Sequence, residues 1–399
     1  QRIRQCADFW LRSYDEKHGG FFSEVARDGS PTSRKRKRIL LQSRNVYGLV
    51  RAFQVTGETR YLERADETLR FMYQHGWDET HGGWFSAVSR SGELAGLPDA
   101  EKARKGPKGA FVHHYAMLGP LTMLEVTDHE THRRWVKRAN RVLETKMHDD
   151  RPEVGGYYDQ ADHDWSDPRN KTFTSEADAI TGHALFHYLV TRDDARRKRL
   201  ASIGDNLVTH FVGNMDAEGV KAAFPAYFDT DWNIDRRRVW VGVGHFLKMA
   251  WHLSRCHLVL GDEKYRRGAE RIFDQLLTYK QGTGASLWNE EAGIPRGQLH
   301  WNTGRITHSA PYWWTCEEAI LAGLLTWHVT GRDDCLRVAD RTLSFFMDHF
   351  WDKKHGEVFT QVNAAGEVLD PAKGDADKGA FHSIELFYST YLYAKLLYH

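Results

Sequence analysis

The chain has 399 residues, 41% of them hydrophobic, with 55 Lys and Arg against 54 Asp and Glu and a formal net charge of +1. That balance speaks against nucleic acid or an anionic membrane surface as a general partner, and no apolar run is long enough to span a bilayer. Cys6, Cys256, Cys316 and Cys335 show no CxxC or metal spacing, which favours a reducing, cytoplasmic setting, although a start at Gln1 leaves room for a removed leader.

In chain order, an amphipathic run over Arg2–Tyr14 leads into a Gly-plus-aromatic cassette at Asp15–Phe22 (DEKHGGFF), and a less charged helical run begins near Ser43. The same triplet of elements returns. Tyr61–Gly76 precedes the cassette Asp78–Phe85 (DETHGGWF) and a run from Val112; Arg133–Met147 precedes Pro152–Tyr158 and a run from Ser175. Arg196–Val212, Lys264–Tyr279 and Cys335–Phe350 then precede cassettes around Gly219, around Gly293 and at Asp352–Phe359 (DKKHGEVF), with apolar runs from Val243, Thr315 and His382. The cassette glycines Gly19, Gly82, Gly155, Gly219, Gly293 and Gly356 are spaced by 63, 73, 64, 74 and 63 residues, a period that reports architecture.

Six units of helix, hairpin-like loop and helix predict one all-α domain over 1–399. The polar helix of each pair faces water and the apolar one packs inside. An open solenoid is the competing arrangement. Long, uneven repeats rich in Trp and Gly favour closure into an (α/α)6 barrel with short β-hairpin loops at one rim.

In such a barrel the inner helices start at one rim, so their first turns form a candidate site. They offer Arg44; His113 and His114; Glu176 and Asp178; His245 and Lys248; Glu317 and Glu318; and His382 and Glu385. Trp240, Trp301, Trp313, Trp314 and Phe381 lie just before or among them, and aromatic faces suit sugar rings. Each has a plainer reading: a hydrogen-bonded core histidine, an ion-paired arginine, or acids at a helix N-terminus. His183 and His187 stand at i, i+4 but lack the HExxH glutamate, so they read as packing residues and no metal is expected. GxGxxG, P-loop and GxSxG motifs are absent.

At these helix starts the chain resembles the N-acylglucosamine 2-epimerase superfamily, which includes cellobiose 2-epimerases, mannose isomerases and sulfoquinovose isomerases. The resemblance rests on Gln42–Arg44 (QSR), Gly19–Phe22 (GGFF), Lys108–Tyr115 (KGAFVHHY), Gly244–His245 with Trp251, Trp313–Trp314 with Glu318, and Lys378–His382 (KGAFH). It implies an (α/α)6 barrel that opens a sugar ring and moves a proton through a cis-enediolate without a cofactor. His245 and His382 would be the acid–base pair and Arg44 would steady the enediolate. His114, Glu176, Asp178, Trp240, Lys248, Trp313, Trp314, Glu318, Phe381 and Glu385 would contact the mono- or oligosaccharide. Some relatives form dimers, which leaves a homodimer open.

The chain departs from the family pattern at three places. Lys248 stands where a glutamate belongs, Glu385 where an arginine belongs, and Asp178, Ala179 and Gly182 fall where the third inner helix usually carries a histidine and a glutamate. The first two departures look like one charge swap, which predicts that Lys248 and Glu385 are neighbours. The added carboxylates keep a glycosidase or lyase reading open, and the lost glutamate a non-catalytic sugar-binding one. Basic runs at Arg34–Arg38, Lys102–Lys108 and Arg236–Arg238 would draw a carboxylated, sulfated or phosphorylated sugar, unless they are solvated loop charges.

Overall fold

The structure, a computed structural model, describes residues 1–280, 282 and 286–397. Tyr398 and His399, at the end of the sixth predicted inner run, lie outside the described residues. The principal helices are α1 Arg2–Leu11, α2 Ile39–Thr56, α3 Thr59–His75, α4 Ala100–Lys105, α5 Ala110–Leu124, α6 Glu130–Val142 and α7 Phe173–Ala179. They continue with α8 Leu185–Thr191, α9 Asp194–Asn206, α10 Val243–Leu260, α11 Glu263–Thr278, α12 Trp313–Thr330, α13 Asp333–Phe345 and α14 Phe381–Leu397. A π-helical turn, Ile180–Ala184, joins α7 to α8, and π-helical turns also extend α6, α9 and α13.

Two compact units emerge. One holds Gln1–Arg196, Lys354–Glu357 and Ala372–Tyr388; the other holds Arg197–Lys353, Val358–Pro371 and the chain from Ser389 onward. In the first, α2 packs on α3 and α5; in the second, α12 packs on α10 and α13. Burial separates two kinds of helix. Every residue of α2 from Ile39 to Ala52 is buried, whereas α3 buries one stripe that includes Tyr61, Ala65, Leu69 and Met72. The same contrast holds between α12 and α13. An apolar surface on all sides needs neighbours on all sides, so α2 and α12 are inner helices and α3 and α13 outer ones.

Most inner helices begin before the predicted starts, at Ile39, Ala110, Phe173, Trp313 and Phe381 rather than Ser43, Val112, Ser175, Thr315 and His382. The apolar residues Ile39, Leu40 and Leu41 are buried and complete a first turn that the polar pattern alone places too late. The short helix α4 lies in a charged stretch that the sequence reading leaves as loop.

The cassettes form tight hairpins, with isolated bridges Tyr14↔Phe21, Trp77↔Trp84 and His148↔Tyr157 in the first unit and Trp351↔Val358 in the second. The turn needs left-handed backbone: φ is +77° at Gly82 and +83° at Gly83, and a Cβ on Gly83 would fall 2.7 Å from His113 Nε2. In the last cassette Glu357 takes the second glycine's place at φ 61°. Its carboxylate accepts hydrogen bonds from Trp10 Nε1 at 2.9 Å and from Ser383 Oγ at 2.5 Å, contacts that hold a side chain where glycine is otherwise favoured.

Two braces, each repeated three times, tie these hairpins to the inner helices of the first unit. Two residues before the helix, Lys37, Lys108 and Lys171 reach back to the cassette acids Asp15, Asp78 and Asp149 at 3.0, 2.7 and 2.8 Å, with all six side chains buried. Lys37 Nζ also donates to Gly19 O at 2.6 Å and Lys108 Nζ to Gly82 O. Burial pushes each lysine's pKa down, and the aspartate beside it pushes it back up. Within the first helical turn, Gln42 Oε1, His113 Nε2 and Glu176 Oε2 accept the backbone N–H of Phe21, Trp84 and Tyr157 at 2.6, 2.9 and 2.9 Å. Amide, imidazole and carboxylate serve here as interchangeable acceptors.

The imidazole brace carries a pH dependence. His113 accepts at Nε2 and therefore donates from Nδ1, to Gly109 O at 2.8 Å, so it is neutral. Burial lowers its pKa to about 3, and that of His114 to about 4. Unfolded histidines titrate near 6.5, so the unfolded chain binds more protons below that pH and stability falls as pH drops from about 6.5 towards 4. The melting temperature should fall between pH 7 and pH 5, where Asp15 and Asp149, held well below the usual carboxylate range by their cations, stay ionised. His113→Gln, which copies the Gln42 brace, should flatten that fall; an unchanged slope would remove His113 from the account.

Candidate functional site

In the first unit the candidate residues gather around Arg44, which is 3% exposed. Its guanidinium lies 3.8 Å over the Tyr115 ring, 5.2 Å from Phe111 and 5.5 Å from Phe381, and Nη1 donates to Asp377 O at 2.8 Å. Tyr115 donates in turn to Asp178 Oδ1 at 2.9 Å. Arg44, Tyr115 and Asp178 each stand five residues after the first residue of their helices α2, α5 and α7, so one level of the repeat supplies all three. Phe381 is buried and packs edge-on to His382 at 4.8 Å, and His382 is partly exposed in the first turn of α14. Glu385 accepts a hydrogen bond from Tyr47.

Two residues expected to contact substrate have no exposed surface. His114 is fully buried, donates from Nε2 to Ser175 O at 3.0 Å and stacks on His183 at 4.9 Å, which places it inside the helix layer. Glu176 is also fully buried, and its carboxylate braces the third hairpin. Tyr115, which the sequence reading passes over in favour of its neighbour His114, is the residue that meets Arg44.

In the second unit, His245 is partly exposed in the first turn of α10, with its ring 5.1 Å from that of Trp314, also partly exposed. Gly244 makes this possible: a Cβ there would lie 2.2 Å from Trp314 Cζ3. Trp313 is buried, whereas Trp240 is 42% exposed on the strand that runs into α10. Lys248 and Glu318, again five residues into their helices, approach to 3.6 Å, and Trp251 Nε1 donates to Glu318 Oε2 at 2.5 Å. Lys248 and Glu318 are both buried, so each offsets the other's desolvation.

His183 packs against His114 and Tyr157, and among the described residues no group of three or more His, Cys, Asp or Glu is placed to hold a metal ion. The four cysteines are buried thiols. No helix among the described residues is long and apolar enough to cross a membrane.

The family model for N-acylglucosamine 2-epimerase matches residues 20–384. The N-acylglucosamine 2-epimerase of Rattus norvegicus is 25% identical over 413 residues, covering 96% of this chain and 88% of the relative. The solved cellobiose 2-epimerase of Spirochaeta thermophila superposes with a TM-score of 0.82 at 21% identity, covering 100% of this chain and 96% of that one. A D-mannose isomerase structure gives 0.84 at 16% identity, with 97% and 95% covered. These likenesses show the fold class, an all-α (α/α)6 barrel. With a match that runs from the first cassette to the sixth inner helix, the chain belongs to the N-acylglucosamine 2-epimerase family.

Proposed function

We propose that this chain, by family a carbohydrate epimerase or isomerase, acts on the open-chain form of a reducing sugar through an enediolate. One histidine of the pair His245 and His382 removes the C2 proton. The electron pair left behind forms the C1–C2 double bond, and the carbonyl oxygen becomes an oxyanion steadied by Arg44. Return of a proton to the opposite face of C2 gives the epimer; return to C1 gives the ketose. No redox partner is needed, because the electrons stay on the sugar.

The observation that carries this reading is selective exposure. His245 and His382 are partly open in first helical turns beside Trp314 and Phe381, while His113, His114, His183 and His252 on inner helices are buried. An imidazole left near solvent can exchange protons with a ligand and with water. Hydrolysis by paired carboxylates has less support, because Glu176, Asp178 and Glu318 already accept from Tyr157, Tyr115 and Trp251. Trp240 and Trp314 offer faces for a sugar ring.

Proton NMR in D2O with glucose, mannose, N-acetylmannosamine, cellobiose, uronates and sulfoquinovose tests the reading. At least one sugar should lose its C2 proton signal while a new epimer or ketose appears. No exchange with any of them would move the assignment to hydrolysis or to binding without turnover.

A further inference from the structure

The basic run Arg34–Arg38 divides into committed and open charges. Lys37 is buried against Asp15, Arg36 pairs with Asp99 at 2.5 Å and Arg38 with Asp377 at 3.5 Å. Arg34 and Lys35 are exposed, and among the described residues neither has a carboxylate within ion-pair distance. Both line a cavity of about 550 Å³ whose other walls include Arg90, Ser89 and Ser91.

The cavity has an ordered cationic wall. The ring of Phe22, 2% exposed, carries the guanidinium of Arg34 at 5.3 Å and that of Arg90 at 5.5 Å. Arg90 is held by two bonds to Asp15, from Nε at 2.8 Å and Nη2 at 3.0 Å, which leaves its Nη1 for a ligand. Lys37 and Arg90 share the carboxylate of Asp15, and Arg34 and Lys35 add two further cations to the cavity wall. Among the described residues Ser91 Oγ meets only Ser89 Oγ, at 3.3 Å, and Ser89 Oγ also accepts the N–H of Glu93 at 3.1 Å. Guanidinium forks, an ammonium and hydroxyl donors around one hollow match the oxygens of a tetrahedral dianion better than a neutral sugar.

We propose that this cavity binds a small-molecule oxyanion, the phosphate or sulfate group of an ester or the free ion. None of the residues lining this cavity is among those assigned to proton transfer, and its occupancy can be read without turnover. The test is calorimetric titration of the full chain at low ionic strength with glucose 6-phosphate, inorganic phosphate and glucose, on the wild type and on Arg34→Ala/Lys35→Ala. Both substituted side chains are exposed, so the variant should melt with the wild type.

The phosphate compounds should bind and glucose should not, with affinity falling at least tenfold in the double variant and falling again as salt is raised. Tighter binding of the ester than of inorganic phosphate would identify the ester as the ligand form, and equal binding the free ion; both support the site. Equal affinity in wild type and double variant, or no phosphate-dependent heat with the wild type, overturns it. Either result is independent of C2 exchange, so failure of this site and failure of the epimerase reading are separable.

Discussion

Replacement of His382 by Asn should lower kcat for C2 proton exchange by about 10²–10⁴-fold, the usual contribution of a positioned general acid or base. KM should change far less, because the ring of Phe381 and the guanidinium of Arg44 remain. His245→Asn should lower kcat by a similar factor. The two losses should differ in kind if the histidines serve opposite faces of the enediolate. One variant would then still wash C2 deuterium out of one epimer while failing to form the other, and the second variant would do the reverse. Deuterium wash-out measured from each epimer separately distinguishes the cases. Full exchange in both single variants would remove the pair from the mechanism. Arg44 should behave differently again: Arg44→Met leaves both bases in place and removes the charge that faces the oxyanion, so its loss should appear in kcat at every pH.

The second large effect is on stability. Lys108→Met should destabilise the fold by about 3–5 kcal/mol, because Asp78 is left as a buried carboxylate with its cation gone. The side chains of Lys108 and Asp78 are only 4% and 7% exposed, so water cannot replace the lost partner. Adding Asp78→Asn should recover part of the loss by removing the orphaned charge. Chemical denaturation of the single and double variants measures both terms. A single variant as stable as the wild type would mean that the lysine braces nothing, and a double variant no better than the single would place the cost in the lysine's bonds to Gly82 and the loop.

Much of the fold was legible because the cassettes repeat. Glycines, aromatic residues and an acidic start recur at intervals that only a helix-pair repeat explains, and the amphipathic runs fell on the outer helices to within a few residues. The Lys–Asp braces were not legible. Asp15 and Lys37 are 22 residues apart and Asp78 and Lys108 are 30 apart, and nothing in either spacing suggests contact until the hairpin folds back on its helix. In the sequence the lysine of KGAFVHHY reads only as part of a family motif; in the structure it binds Asp78 and Gly82 O of the hairpin.

The candidate residues on the inner helices read from sequence as a level of the repeat rather than as individual partners. Reading Ser43 as a helix start instead of Ile39 hid the common register of Arg44, Tyr115, Asp178, Lys248 and Glu318. Once the helices begin where their buried apolar residues put them, the fifth position after each start carries a functional group in all five. His114 reads as a ligand by residue type; in the structure it is fully buried and bonded to Ser175 O, while Tyr115, one residue on and about 100° round the helix, meets Arg44.

Glu357 joins Trp10 of the first helix to Ser383 of the last, and both partners belong to the same compact unit. That unit is therefore discontinuous, and a ribosome that has released the first 196 residues has not yet supplied the segments that complete it. A Cβ on Gly48 of α2 would fall 2.9 Å from Ala380 Cβ and 3.0 Å from Ile384 Cδ1, so this flank is covered closely by α14 and its approach and stays bare until they emerge. The second unit waits too, because Val358–Pro371 and the chain from Ser389 onward belong to it. Neither unit is complete until the last segments are made, so an apolar helix flank stays exposed through most of synthesis.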